Sequence, residues 1–155
     1  MPPRPPLKRI LLAEDSSNDV EMTLNAMEEF HLANEVVVVS NGAEALDYLY
    51  GRGKHANHNN GAPVVVLLDL KMPKVDGLEV LRQMKTDPTL KRIPVVMMTS
   101  SREEQDLVRS YDLGVNAYVV KPVDFQQFTD SVRKLSCFWA LINEPPPKPG
   151  TTLRS

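Results

Sequence analysis

One cysteine, Cys137, is the whole thiol content of this 155-residue chain, so no internal disulfide can form and a reducing, cytoplasmic setting is the expectation. No apolar run approaches the ~18 residues of a membrane span. The N-terminal Met1-Pro-Pro-Arg-Pro-Pro lacks the apolar stretch of a secretion signal. Neither sign of charge is in large excess: 18 basic against 20 acidic residues, a formal net charge of -2, leave no basic footprint for nucleic acid. With 42% apolar and 25% charged residues, the composition is that of an ordinary globular domain with one core.

Proline is present but unevenly placed. It clusters in residues 2 to 6 and again in Pro145-Pro146-Pro147 and Pro149. Residues 1–6 and 144–155 are therefore expected to be extended tails around a folded domain over 7–143. Within it, short apolar runs alternate with helix-like segments. The runs Arg9 to Ala13, Glu35 to Val39, Val64 to Leu68, Ile93 to Met98 and Ala117 to Val120 read as parallel strands covered on both faces. The second, flanked by Glu35 and Ser40, reads as the most exposed. Asn41 stands three residues before Glu44, Asp76 before Glu79, Ser101 before Glu104 and Asp124 before Gln127, the spacing of a capping box at each helix start. A further helix after Ser16-Ser17 would turn Val20, Leu24 and Met27 inward. Five strands alternating with five helices predict a doubly wound α/β sheet. The long connection Gly51 to Pro63 holds His55 and His58 without an acidic or cysteine neighbour of its own, so a solvated loop is expected there rather than a metal site.

In "VVVLLDLKMP", residues 64 to 73, an apolar strand ends in the carboxylate of Asp69. A charge at the edge of an apolar layer is costly unless something pairs with it. In a parallel sheet the loops after the strands share one edge, where ligands bind. That edge would gather Glu14 and Asp15 after the first strand, Asp69 after the third, Thr99 and Ser100 after the fourth, and Lys121 after the fifth. Clustered carboxylates repel unless neutralised, and Mg²⁺ suits oxygen ligands. A carboxylate beside that ion can act as a nucleophile on phosphorus, with Thr99 and Lys121 on the phosphoryl oxygens. Each residue also has an ordinary reading. Glu14-Asp15 could cap a helix, Asp69 could serve a turn, Thr99 could merely favour a strand, and Lys121-Pro122 could end one. Their fall at successive strand ends of one sheet favours the joint reading.

The pieces "LLAEDSSNDV", "VVLLDLKMPKVDGLEVL", "IPVVMMTSS" and "YVVKPV" closely resemble, in order and spacing, the receiver domain of two-component response regulators. The resemblance implies a flavodoxin-like five-stranded parallel sheet in order 2-1-3-4-5. It implies that Asp69 accepts a phosphoryl group from a sensor histidine kinase or a phosphotransfer protein. It implies that Glu14, Asp15, Asp69 and the backbone carbonyl of Lys71 hold Mg²⁺, and that Thr99 and Lys121 bind the phosphoryl group. Thr99 and Tyr118 would then switch the face made by the helix after Ser101, the fifth strand and the last helix. A cis Lys121-Pro122 bond and a close backbone passage at Gly77 are implied as well. Enzymatic action would be limited to self-phosphorylation and self-dephosphorylation. The long loop before the third strand, "SYDLGVNAY" and "FWALI" more narrowly resemble single-domain regulators paired with phytochrome-type kinases.

Two rival classes are weighed against this. Haloacid-dehalogenase-type phosphatases need a second Asp two residues past the nucleophile, where Lys71 stands here, and place the nucleophile after the first strand. An unphosphorylated receiver-like interaction module is disfavoured by the intact Asp69, Thr99 and Lys121. In the last helix Phe125, Phe128, Val132, Leu135, Trp139 and Ile142 make one stripe at spacings of three and four. Phe138 and Leu141 fall outside it; the helix end either tucks under its own tail or, the favoured expectation, makes a homodimer contact through Phe138, Trp139 and Leu141.

Overall fold

The computed structural model describes residues 9–29, 35–56, 62–100, 103, 105–106, 114–133 and 135. Five parallel strands, β1 (Arg9–Ala13), β2 (Glu35–Val39), β3 (Val65–Asp69), β4 (Val95–Thr99) and β5 (Ala117–Val120), form one sheet in the order β2-β1-β3-β4-β5. The helices α1 (Ser17–Glu29), α2 (Gly42–Tyr50), α3 (Gly77–Thr86) and α4 (Phe125–Arg133) alternate with them. Glu103, Gln105 and Asp106 are helical too, in the segment where the helix after Ser101 was expected. Ser101 and Glu104, its capping pair, lie outside the described residues, as do the two proline-rich ends and His58.

Strand side chains alternate between faces, and the core divides accordingly. Ile10, Leu12, Val65, Leu67, Val96, Met98 and Val119 pack on the face covered by α1 and α4, with Met27, Phe128 and Val132. Leu11, Ala13, Val66, Leu68, Val95 and Met97 pack on the other, with Leu46, Val80, Leu81 and Met84 of α2 and α3. Every residue of β3 and β4 is buried, whereas β2 at the sheet edge leaves Val38 41% exposed, as its flanks predict. Val20 and Leu24 of α1 are only partly buried, and Met27 fully.

Three strand ranges agree with the apolar runs, and two shift toward the C-terminal edge. The ladder pairs backbone, not side chains, so it carries on through Asp69, opposite Met98, and Thr99, opposite Val120. At the other end Pro94 has no N–H to give, and β4 begins only at Val95. The caps form at Asn41, Asp76 and Asp124, whose side chains accept from the N–H groups of Glu44, Glu79 and Gln127. Gln127 sends its own amide elsewhere, to the N–H of Val120 and the carbonyl of Pro122. It thereby ties the β5–α4 loop rather than closing a box. Phe125 departs from the expected buried stripe. As the first residue of α4 it overhangs a groove beside α1 and is 37% exposed, while Phe128, Val132 and Leu135 are buried. Among the described residues of the connection after α2, Arg52, Gly53, Lys54 and Ala56 are exposed, as in the solvated loop expected there, and His55 is partly covered. A 3-10 turn at Gly53–His55 folds back on α2, setting Lys54 Nζ 2.9 Å and His55 Nε2 3.6 Å from Glu44 Oε1, with the His55 ring edge-on to buried Tyr48.

Gly77 opens α3 under the turn that follows Asp69. A Cβ there would overlap the Asp69 carbonyl oxygen and lie 2.9 Å from Leu70 Cα, all backbone that cannot step aside. Alanine is worth up to ~1 kcal/mol over glycine inside a helix, yet here Gly77→Ala is expected to destabilise by about 1–3 kcal/mol through overpacking. Urea denaturation checks this; an unchanged or raised midpoint would show that the turn yields freely.

Candidate functional site

The C-terminal edge of the sheet brings together side chains from β1, β3, β4 and β5. Glu14 follows β1, and its backbone N–H bonds the carbonyl of Val39 at the end of β2. Its carboxylate accepts from the N–H of Ser16 at 3.1 Å, where the chain turns into α1. Asp69 ends β3, and its carboxylate accepts from the backbone N–H of Lys71. The turn is held from behind by Gly77 N–H bonding Leu70 O at 2.8 Å. Lys121 follows β5, its N–H bonded to Thr99 O at 2.8 Å, and the Lys121–Pro122 peptide is cis.

The question posed by Asp69 has its structural answer in Lys121. The Lys121 ammonium lies 2.9 Å from Asp69 Oδ1 and 3.0 Å from Glu14 Oε2. A third carboxylate, Asp19 Oδ2 in the first turn of α1, lies 3.2 Å away. The sequence pattern did not single out Asp19; the only signal for it was an acid one turn into a helix. Glu14 and Asp69 are 2% and 3% exposed. Burial pushes the Glu14 carboxyl up to about 7, against the opposing pull of Lys121 and of the Ser16 N–H. Burial likewise raises Asp69, with Lys121 pulling it back. Burial works against the charge of Lys121, but the bonds it donates to Asp69 and Glu14 more than offset this and leave its pKa raised.

One oxygen from each of Glu14, Asp15 and Asp69 falls within 4.8 Å of the others, with Asp15 on the solvent side. Three carboxylate oxygens this close, two of them buried, are a donor set that fits a hard divalent cation. Thr99 is fully buried at the end of β4. The register pairs Met97 with Tyr118 and Thr99 with Val120, so Thr99 and Tyr118 lie diagonally on the same face of the sheet. Tyr118 packs against the α2–α3 core there, and its carbonyl accepts from Ser131 Oγ of α4 at 3.1 Å. Of the sequence-predicted residues, Phe138, Trp139 and Leu141 lie outside the described residues.

A family model described as the response regulator receiver domain matches residues 10–133. Response regulator Rcp1 of Synechocystis sp. is 37% identical over 134 residues, which span 86% of this chain and 90% of that protein. A solved structure of the Mn(2+)-bound form of Rcp1 is similar at a TM-score of 0.69 and 34% identity, covering 96% of this chain and 99% of that one. The solved bacteriophytochrome response regulator AtBRR is 62% identical with a TM-score of 0.83, covering 89% of this chain and 99% of that one. A second, RtBRR, is 58% identical with a TM-score of 0.84, covering 91% and 85%.

Proposed function

The chain belongs to the response regulator receiver domain family, and from that premise we propose that it carries its signal as an aspartyl phosphate on Asp69. The observation that carries this reading is the convergence of Glu14, Asp15, Asp69 and Lys121 on one edge of the sheet. The Asp69 carboxylate attacks the phosphorus of a phosphohistidine. The P–O bond forms as the P–N bond breaks, and the ring nitrogen leaves with the electron pair. Lys121 neutralises charge on a phosphoryl oxygen, and the Thr99 hydroxyl donates to another. Glu14, Asp15, Asp69 and the main-chain carbonyl of Lys71 would hold Mg²⁺, which when bound supplies positive charge to the phosphoryl oxygens. As Thr99 turns toward the new anion, Tyr118, its diagonal neighbour, takes the space behind it. The surface around β5, α4 and the helix after Ser101 changes with it.

The donor is read as a sensor histidine kinase of the phytochrome type, or a phosphotransfer protein. The likeness to bacteriophytochrome regulators supports the former. A groove of about 470 Å³ between α1 and α4, lined by Met22, Ala26, Val123 and Phe125 among others, suits a helix bearing the phosphohistidine. It borders the site, because α1 begins two residues past Asp15 and α4 follows directly on the Lys121–Pro122 loop. No described helix is long and apolar enough to cross a membrane. Incubation with acetyl phosphate and Mg²⁺, read by intact mass, tests the reading. One stable phosphoryl adduct is expected; repeated turnover of phosphate esters, or no adduct, would overturn it. Transfer from a purified bacteriophytochrome kinase at a rate no faster than from an unrelated kinase would remove the phytochrome assignment alone.

A homodimer through Phe138, Trp139 and Leu141 is part of the same proposal. Phe128, Val132 and Leu135 are buried, and the sequence periodicity that sets Phe138 and Leu141 outside their stripe supports a second apolar surface. Each large side chain removed from such a contact costs on the order of 1.5–3 kcal/mol. Phe138→Ala, counted twice across a two-fold axis, is expected to weaken the dimer roughly a hundredfold or more. Light scattering after size-exclusion chromatography decides it; a wild-type monomer at high concentration would end the idea.

A further inference from the structure

An ammonium group has three hydrogens, and at Lys121 three carboxylates stand ready for them: Asp69, Glu14 and Asp19. The first two belong to the proposed phosphorylation site. Asp19 belongs neither to the candidate cation ligands nor to the cap of α1, a place taken by Ser16, whose hydroxyl accepts from the Asp19 N–H. An acid in the first turn of a helix is ordinarily explained by the helix dipole. That explanation is satisfied by a carboxylate pointing anywhere into solvent. Here the side chain is 27% exposed and meets a lysine 102 residues further along the chain.

We propose that Asp19 is a positioning residue for phosphoryl transfer, acting through Lys121. The inference rests on Asp69 being the phosphoacceptor. The lysine stem reaches in from β5, and two of its three partners must be shared: Glu14 with a cation, Asp69 with the incoming phosphoryl group. Asp19 is the partner that neither claims. It holds one ammonium hydrogen throughout and so fixes the Nζ position from which the other hydrogens are handed to the phosphoryl oxygen. Without it the ammonium settles between Glu14 and Asp69, shielding the nucleophile it should serve. A lysine side chain has several rotatable bonds and does not hold a position by packing alone. A third fixed anchor is what preorganises it.

The test is a double-mutant cycle joined to a direct view of the lysine. The initial rate of Asp69 phosphorylation by acetyl phosphate, at saturating Mg²⁺, is expected to fall about fivefold in Asp19→Ala. Asp19→Asn, which keeps an acceptor oxygen, should lie in between. In a Lys121→Met background the same Asp19→Ala change should have no further effect. A merely structural role would slow both backgrounds alike. Separately, the ¹H–¹⁵N signal of the Lys121 ammonium in the cation-free protein should be sharp in the wild type and lost to solvent exchange in Asp19→Ala. Unchanged rates, additive losses, or an ammonium signal indifferent to Asp19 would each overturn the proposal. If the wild type takes no phosphoryl group at Asp69, the phosphoacceptor reading fails, and the ammonium signal still decides whether Asp19 holds Lys121.

Discussion

Asp69→Asn is expected to lower phosphoryl incorporation by more than about a thousandfold while leaving the fold in place. The amide has nearly the shape of the carboxylate and fits the same buried position at the end of β3. Its oxygen can still accept from Lys121 or from the Lys71 N–H, so neither donor need be orphaned. What it lacks is the anionic lone pair that attacks phosphorus. Removing one charge from a crowded acidic set carries little structural penalty, because Lys121 keeps Glu14 and Asp19. The measurement is intact mass after acetyl phosphate and Mg²⁺, with circular dichroism as the control for folding. Equal incorporation by wild type and variant would take the nucleophile's role away from Asp69.

The sheet was legible because parallel strands buried on both faces leave an unmistakable apolar run. β1, β2 and β5 begin and end where the runs do. The C-terminal ends of β3 and β4 were misplaced for one physical reason: a polar residue ends an apolar run but does not end a backbone ladder. Asp69 and Thr99 remain strand residues, and this registers their side chains against Met98 and Val120. Phe125 was misread because helical periodicity says which residues share a stripe, not how far the sheet beneath it extends. Glu14, Asp15, Asp69 and Lys121 could be found because topology delivers strand ends to one edge. Asp19 could not, since its contact with Lys121 depends on how α1 lies over that edge. Asn116 escaped likewise: its side chain accepts from the N–H of Val95 at 2.8 Å, stapling the start of β4, and nothing local announces it.

Divalent-cation affinity and cation-free stability are expected to respond to pH in opposite directions. Glu14 is pushed up to about 7 by burial, and Asp69 is raised from its ordinary value by the same cause. A cation needs both as carboxylates, so below about pH 7 binding must expel at least one proton, and affinity falls by about tenfold per unit. From pH 7 to pH 5 the loss is roughly a hundredfold, and above pH 8 the affinity should be nearly flat. For folding the sign reverses. A carboxyl whose pKa is higher folded than unfolded binds its proton more tightly in the folded state. Its contribution is therefore greatest at low pH and is lost as pH rises from its ordinary value of 4.5 through about 7. Glu44 and Glu79, whose pKa values are lowered, act below that window and do not mask it. Calorimetric titration with Mg²⁺ between about pH 5 and pH 8, in buffers of different ionisation heat, reads the first trend; thermal melts without cation read the second. Glu14→Gln should flatten most of both, since the neutral amide imitates the protonated acid at every pH. Parallel trends, or a slope untouched by Glu14→Gln, would mean that the titrating proton sits elsewhere.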